Sequence, residues 1–235
     1  PKSTKKGNSR KFHRIAVMKD VLSILPAEKI RALTMDREFI GKNWLAWLRL
    51  MDVRYVVRLK KNALVDDRRV SYLCEANRWK RLAAGLVEVF DQQVRFAAKR
   101  ITNGRDPYLA VISHGFFGEE ALAIYRQRWG IETLFGHLKK KGYQFEDTHM
   151  TKAARISKLM AVLTVAFALC YRWGVRLEEI RAGTTKKHGS PAKTLSRRGF
   201  ESLHMMFDKP RRFARKIEEF FEVILRKPLS ENFVV

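Results

Sequence analysis

The sequence predicts an α/β fold with a mostly parallel sheet. Near the N-terminus, segments of helical periodicity alternate with short apolar runs rich in β-branched residues. A segment with further strand-like stretches follows, and long helical segments return from Gly118 onward. The chain has 235 residues, of which 46% are hydrophobic, so it can bury a substantial core.

The first four elements alternate between helix and strand. Residues 9–25 place apolar side chains at helical intervals. Ile30 to Met35 form a short apolar run typical of a covered strand, which puts Asp36 at its C-terminal end. Helical spacing resumes at 41–51, and VRYVVRLKK at 53–61 has the composition of a strand. This order predicts neighbouring parallel strands.

The segment at 62–107 is predicted to be a small β-rich insertion. It contains the strand-like stretches LVEVF and QQVRFAAKRI, followed by Asn103-Gly104, a strong tight-turn dipeptide. PYLAVIS at 107–113 then has the composition of a core strand.

Helices and one loop are predicted for the remainder. We expect one long helix from Gly118 to Gly142, a largely buried helix at 152–180 and a loop of small and basic residues at 182–199. The apolar run at 159–171 is expected to be too short to span a bilayer, which favours a buried helix. The segment at 211–227 predicts an amphipathic helix that either caps the core, the favoured interpretation, or serves a dimer.

The net charge points to a polyanionic partner. The sequence carries 48 Lys and Arg residues against 24 Asp and Glu residues, a formal charge of +24. Because the positive charge runs from end to end, the folded surface must be basic, and nucleic acid is the leading candidate. Cys74 and Cys170 are far apart without metal-ligand spacing, so the sequence indicates neither a disulfide framework nor a zinc site and suits a reducing cytoplasm.

One acid stands among basic residues on the predicted helix from Gly118. At about 100° per residue, Tyr125, Arg128, Glu132 and Lys139 share one stripe bordering the core-facing arc, so Glu132 is expected to be partly desolvated. The core-facing residues on this projection are Ile131, Leu134, Phe135 and Leu138. One interpretation is a solvated ion pair between Arg128 and Glu132, worth a few tenths of a kcal/mol. The other is a catalytic acid whose basic neighbours hold a polyanion.

Three further residues, two on this helix and one after it, have expected roles. Trp129 is expected to anchor the helix, with stacking on an unpaired base as the alternative. His137 and His149 are expected at the surface or against phosphate, because no partner stands at metal-ligand spacing.

The four residues of the stripe occur in the order Tyr-x2-Arg-x3-Glu-x6-Lys, at Tyr125, Arg128, Glu132 and Lys139. This order resembles the signature of a large family of bacterial insertion-sequence transposases of the DDE type. A second block, MDREFIG at 35–41, resembles that family's strand-end motif with its second catalytic aspartate, here Asp36. GNS at 7–9 and VRYVVRLKKN at 53–62 also resemble the family in the expected order. The resemblance extends to about residue 175.

The resemblance implies a ribonuclease-H-like core that a β-rich insertion interrupts between the strand before Asp36 and the helix of Glu132. On this basis the catalytic core comprises residues 1–61 and 108–180 without its first strand, and 62–107 is the insertion. A basic loop and C-terminal helices follow at 181–235.

The resemblance also implies a chemistry. Asp36 and Glu132 would be catalytic and hold divalent metal, usually magnesium with manganese as the alternative, while Tyr125, Arg128 and Lys139 would contact phosphates near the scissile bond. The partners would be transposon ends and target DNA, bound by a homodimer. Location would be the bacterial cytoplasm, associated with the nucleoid and not with a membrane.

One part of the family pattern is missing from the sequence. The family's first aspartate belongs on a strand upstream of GNS, where this chain has no residues, and the chain opens at Pro1 with its first methionine at Met18. We therefore expect either a piece of a longer transposase or a truncated reading frame. Two alternatives stay open: a non-catalytic basic DNA-binding remnant and an RNA-binding protein that uses its basic surface.

Overall fold

The chain folds into two compact units. The computed structural model describes residues 11–76, 81–101, 106–139, 143–185, 191–225 and 233–234. Unit 1 comprises Pro1–Trp129 with Ser230–Val235, and unit 2 comprises Gly130–Leu229. The predicted turn at Asn103-Gly104 lies outside the described residues.

Unit 1 begins with the predicted alternation of helix and strand. Its first elements are α1 (Lys11–Ile24), β1 (Ile30–Met35), α2 (Lys42–Leu50) and β2 (Tyr55–Arg58). β1 and β2 are parallel neighbours, with Leu33 opposite Tyr55 and Met35 opposite Val57. The prediction for this part of the chain is confirmed.

The remaining strands of unit 1 extend the same sheet. Its other elements are β3 (Leu64–Val65), β4 (Arg68–Arg69), α3 (Val70–Ala76), β5 (Arg81–Val89), β6 (Gln92–Arg100), β7 (Tyr108–His114), α4 (Gly118–Gln127) and β8 (Phe233–Val234). The strand order in the sheet is β5-β6-β7-β2-β1-β8, while β3 and β4 form a separate pair. The core strand predicted at 107–113 is thus confirmed as β7.

The expectation of a mostly parallel sheet is wrong. β1 runs parallel to β2 and β8, but β2 with β7, β6 with β7 and β5 with β6 are antiparallel. Phe90 and Asp91, which connect β5 to β6, both have a φ of 54°. A two-residue connection of this kind forces antiparallel pairing, since parallel strands need a long crossover. β5 and β6 lie within residues 62–107 and belong to the main sheet. The assignment of 62–107 as an insertion therefore stays a prediction.

Both faces of the sheet are covered in unit 1. On one face the buried side chains of α2, including Leu45 and Leu48, join Val57 and Ile112 in the larger core. On the other face Leu122 and other residues of α4 pack against β-strand side chains such as those of Ala32, Val56 and Val111. Coverage on both faces explains why β1 and β2 have near-continuous apolar sequences.

Unit 2 is helical in its described part. It contains most of α5 (Trp129–Lys139), followed by α6 (Ala153–Ile180), α7 (Leu195–Asp208) and α8 (Ala214–Leu225). Its core joins buried side chains from α6, α7 and α8, namely Cys170, Trp173, Leu203, Met206 and Phe220. Cys74 and Cys170 are both buried and free.

Two glycines let α6 and α7 meet backbone to backbone. A Cβ atom at Gly174 of α6 would overlap the carbonyl oxygen of Leu195, and one at Gly199 of α7 would overlap the carbonyl oxygen of Cys170. No side chain fits at either position without separating the helices.

Two predictions for the helical part of the chain need correction, and a third is confirmed. The expected helix from Gly118 to Gly142 is interrupted at Arg128, which separates α4 from α5 and precedes Gly130, a residue of low helix propensity. The loop expected at 182–199 ends earlier, because Thr194 caps α7 by accepting a hydrogen bond from the backbone N–H of Arg197 at 3.3 Å. The amphipathic helix near the C-terminus is confirmed as α8, which packs with α6 and α7.

The helix predicted at 152–180 is confirmed as α6, but the expectation that it is largely buried is wrong. Only Cys170, Trp173 and Gly174 are buried on it, and Val162 is 64% exposed. Among the described residues, α6, which contains the apolar run at 159–171, is long and apolar enough as a whole to cross a membrane by length and composition. One such helix is weak evidence for a membrane span, because soluble proteins also contain apolar helices.

Candidate functional site

Asp36 lies where β1 ends. Its Oδ1 accepts a hydrogen bond from the backbone N–H of Arg37 at 2.7 Å, and its carbonyl accepts one from Phe39 N–H at 2.9 Å. These bonds form a turn that leaves the carboxylate partly exposed at the carboxyl end of the parallel β1–β2 pair. Ligands commonly bind at this edge of α/β sheets.

Tyr125 and Arg128 belong to the same neighbourhood in unit 1. Tyr125 is buried on α4, 6% exposed, and the Arg128 guanidinium lies over its ring at 5.5 Å from the centroid. The pKa of Tyr125 is raised chiefly by burial, with smaller effects from the charges of Arg128, Asp36 and Arg58. The structure therefore brings Asp36 and Arg128 each within electrostatic reach of Tyr125.

A carboxylate shared by two arginines completes this edge of the sheet. Asp106 Oδ2 accepts hydrogen bonds from Arg58 Nη2 at 2.7 Å and from Arg37 Nη1 at 3.3 Å. Sequence reasoning missed both Arg58 and Asp106. Strand alternation could have indicated Arg58, because it follows Val56 on the face that α4 covers, whereas Asp106 has no local signal.

A basic recess adjoins these residues. It has a volume of about 590 Å³ and is lined by four basic side chains and three acidic ones, namely Arg37, Arg58, Lys60, Lys61, Glu38, Glu75 and Asp106. Lys60 and Lys61 are exposed immediately beyond β2. Clustered lysine and arginine side chains of this kind bind phosphates without reading base sequence.

Glu132 and Lys139 lie in unit 2, on the first and last turns of α5. Glu132 is exposed, so the expectation of a partly desolvated carboxylate is wrong. The helical projection that took Tyr125 as its origin assumed one continuous helix. It fails because the helix is interrupted at Arg128. Of the expected core-facing residues, only Leu138 is buried; Ile131 and Phe135 are 40% and 46% exposed.

Two other expectations about α5 are also wrong. Trp129 is 67% exposed and so does not anchor the helix in a core. His137 is buried rather than at the surface, and its Nε2 lies 3.1 Å from Thr194 Oγ1 and 3.0 Å from Ser196 Oγ. These contacts connect α5 to the N-terminus of α7 within unit 2. His149 is exposed, as expected.

The carboxylates of Asp36 and Glu132 are of the chemical type that binds a divalent metal, but they are too few to form a complete metal site. Asp36 and Glu132 offer the hard oxygen atoms that magnesium and manganese prefer. Within the part of the chain that the structure describes, no three His, Cys, Asp or Glu side chains are grouped so that they could hold a metal ion. Because affinity for a hard cation depends on ligand charge and number, two carboxylates alone would bind such an ion weakly.

A family model described as transposase DDE domain matches residues 6–170. The chain belongs to the transposase DDE domain family. The match covers all of the residues singled out in both motifs, from Asp36 to Lys139, and ends within α6. A comparison with curated proteins found no match.

Membership of the transposase DDE domain family supports a transposase function with DNA as the partner. Proteins of this family generally use divalent metal ions and are normally soluble and cytoplasmic. The mixed α/β sheet with helices on both faces is compatible with such a domain.

Proposed function

We propose that this chain is the catalytic-domain portion of a DNA transposase, which cuts and joins DNA at insertion-sequence ends by metal-dependent phosphoryl transfer. The observation that carries the proposal is the position of Asp36, at the carboxyl end of a parallel strand pair and beside Tyr125 and Arg128. The core would be ribonuclease-H-like, with 62–107 as its insertion. The enzyme would act on the nucleoid.

In this proposal Asp36 and Glu132 are the catalytic carboxylates that this chain contributes to a magnesium or manganese site. A bound divalent ion supplies activation of the attacking oxygen and stabilisation of the leaving oxygen. A further carboxylate from upstream sequence would complete the ligand set.

The basic residues would position the DNA. Arg128 and Lys139 would bind phosphate oxygens near the scissile bond, and Tyr125 would orient Arg128 through the contact of its ring with the guanidinium. Water first cuts at the ends of the element, and the freed 3′-hydroxyl then attacks target DNA. Pairing two ends would take two copies of the chain.

The test is cleavage of an insertion-sequence end by the chain extended with its natural upstream coding sequence. We expect Asp36→Asn and Glu132→Gln each to lower the magnesium-dependent cleavage rate at least about 100-fold, because a lost ligand weakens both metal binding and charge stabilisation. Glu218→Gln, which removes an exposed acid from α8, is the matched control and should cleave at the parent rate. Equal rates for Glu132→Gln and the parent would remove Glu132 from the catalytic set.

The second candidate is a non-catalytic DNA-binding remnant of a transposase. The incomplete metal-ligand set among the described residues favours it. If the extended parent binds DNA but never cleaves it with magnesium or manganese, this candidate replaces the enzyme. An RNA-binding protein would instead tolerate Asp36→Ala and require no metal.

A further inference from the structure

We propose that unit 1 carries a second binding site for the phosphate backbone of DNA, at the end of the sheet opposite to Asp36. The choice of DNA as the ligand rests on the proposed function. The site is a recess of about 350 Å³ where the end of α2 meets β6 and the end of β7. In the register of the sheet, His114 stands opposite Tyr55 at the start of β2, whereas Asp36 follows the other end of the paired strands.

The titratable residues lining this recess are all basic. Arg49, Arg95 and His114 line it together with neutral residues, namely Leu86, Gln93, Val94, Ser113 and Gly115. The described lining thus contains two guanidinium groups and no carboxylate. The pKa of His114 is lowered by burial and by the charge of Arg49, with Asp52 opposing the shift, so His114 serves as a neutral hydrogen-bonding group at pH 7.

The arginines around the recess are held by neutral partners. Arg49 Nη1 donates to the Gln93 carbonyl at 3.2 Å and to Gln92 Oε1 at 3.4 Å. The Arg95 guanidinium lies 5.5 Å from the centre of the Phe117 ring. Because these contacts orient the guanidinium groups without neutralising them, the recess keeps its positive charge.

A third arginine is fixed beside the recess by a glycine. Arg54 lies over the Phe116 ring, 5.4 Å from its centroid, and its side-chain carbons cross the backbone of Gly115. Gly115 has a φ of +91°, and a Cβ there would lie 2.7 Å from Arg54 Cγ and Cδ. Only glycine combines this backbone conformation with so close an approach.

This arrangement fits a phosphodiester backbone. Guanidinium groups bind phosphate oxygens through paired hydrogen bonds, and here they project from a strand and a helix of one packed unit. In the proposed function, the first recess, beside Asp36, would bind phosphates near the catalytic carboxylate. The second would hold a more distant part of the same DNA, or target DNA, without taking part in chemistry.

The test measures binding of a duplex of random sequence in EDTA, so that cleavage plays no part. The double variant Arg49→Gln/Arg95→Gln is compared with the parent protein and with a control double variant, Arg68→Gln/Arg69→Gln. The control residues are exposed on β4 and lie outside the recess. We expect the recess variant to reduce the slope of log affinity against log salt by about 2, and affinity at low salt by roughly tenfold. A reduction no larger than in the β4 variant would overturn the proposal.

Two further measurements keep the outcome interpretable. If the double variant has a lower melting temperature, Arg95→Gln alone, at an exposed strand position, should still reduce the slope by about 1. Vesicles of anionic phospholipid serve as the second ligand: loss of vesicle binding with unchanged DNA binding would overturn the proposal in favour of a membrane. Because EDTA excludes cleavage, failure of the proposed enzyme would leave the slope difference intact.

Discussion

At the scale of single residues, Asp106 pairs with two of the four basic side chains that line the recess beside Asp36. It accepts hydrogen bonds from both Arg37 and Arg58, and its side chain is 37% exposed. Its carboxylate therefore orients two guanidinium groups and partly neutralises them. Such an acid keeps the arginines in place while limiting their attraction for phosphate.

Asp106→Asn should strengthen DNA binding while weakening the fold slightly. We expect affinity at low salt to rise a few-fold, because two arginines lose their neutralising partner, and the free energy of unfolding to fall by at most about 1 kcal/mol, as for exposed ion pairs. Fluorescence anisotropy and urea denaturation measure the two effects. Asp208→Asn, the same charge change at an exposed residue of α7, is the control. If both variants bind DNA with equal affinity, Asp106 has no local role.

At the scale of elements, unit 2 depends on how closely α6 and α7 approach. Gly174 and Gly199 each face a backbone carbonyl of the other helix, so the contact is between main chains rather than side chains. The apolar residues of α6 alone do not reveal this geometry. The glycines instead stand out as poor helix formers within long helices, which signals a packing requirement.

Gly174→Ala and Gly199→Ala should each lower the free energy of unfolding of unit 2 by about 3 kcal/mol or more, because the added methyl group overlaps main-chain atoms that cannot move independently. Gly136→Ala on α5 is the matched control, since its Cβ would meet nothing within 4 Å. It should raise stability by about 0.5–1 kcal/mol through helix propensity. Urea denaturation followed by circular dichroism measures all three variants, and a Gly174→Ala protein as stable as the parent would contradict the close packing.

At the scale of the whole molecule, the formal charge of +24 should dominate association with DNA. We expect affinity for a random duplex to fall at least about 1,000-fold between roughly 50 and 200 mM salt, as counterions compete for the phosphates. A peptide nucleic acid duplex of the same sequence, which lacks phosphates, should bind weakly at every salt concentration. Salt-independent affinity for the DNA duplex would show that the charge does not drive binding.

Much of unit 1 could be predicted because its segments carry their own signals. The apolar run of β1 predicts a covered strand and thereby the position of Asp36, and α1, α2, β2 and β7 follow from periodicity and composition in the same way. The signature through Tyr125 and Glu132 identified the family that the match to residues 6–170 confirms. The roles of Asp36 and Glu132 as metal ligands stay predictions.

The sequence by itself determined the type and approximate position of most elements, the basic surface and the transposase family, because periodicity, charge and motif order are local properties of the chain. Only the tertiary structure decided the antiparallel pairing of β5, β6 and β7, the interruption at Arg128, the exposure of α6 and the sharing of Asp106 by two arginines. Each of these depends on free energies gained between residues far apart in the chain, which no short window of sequence contains.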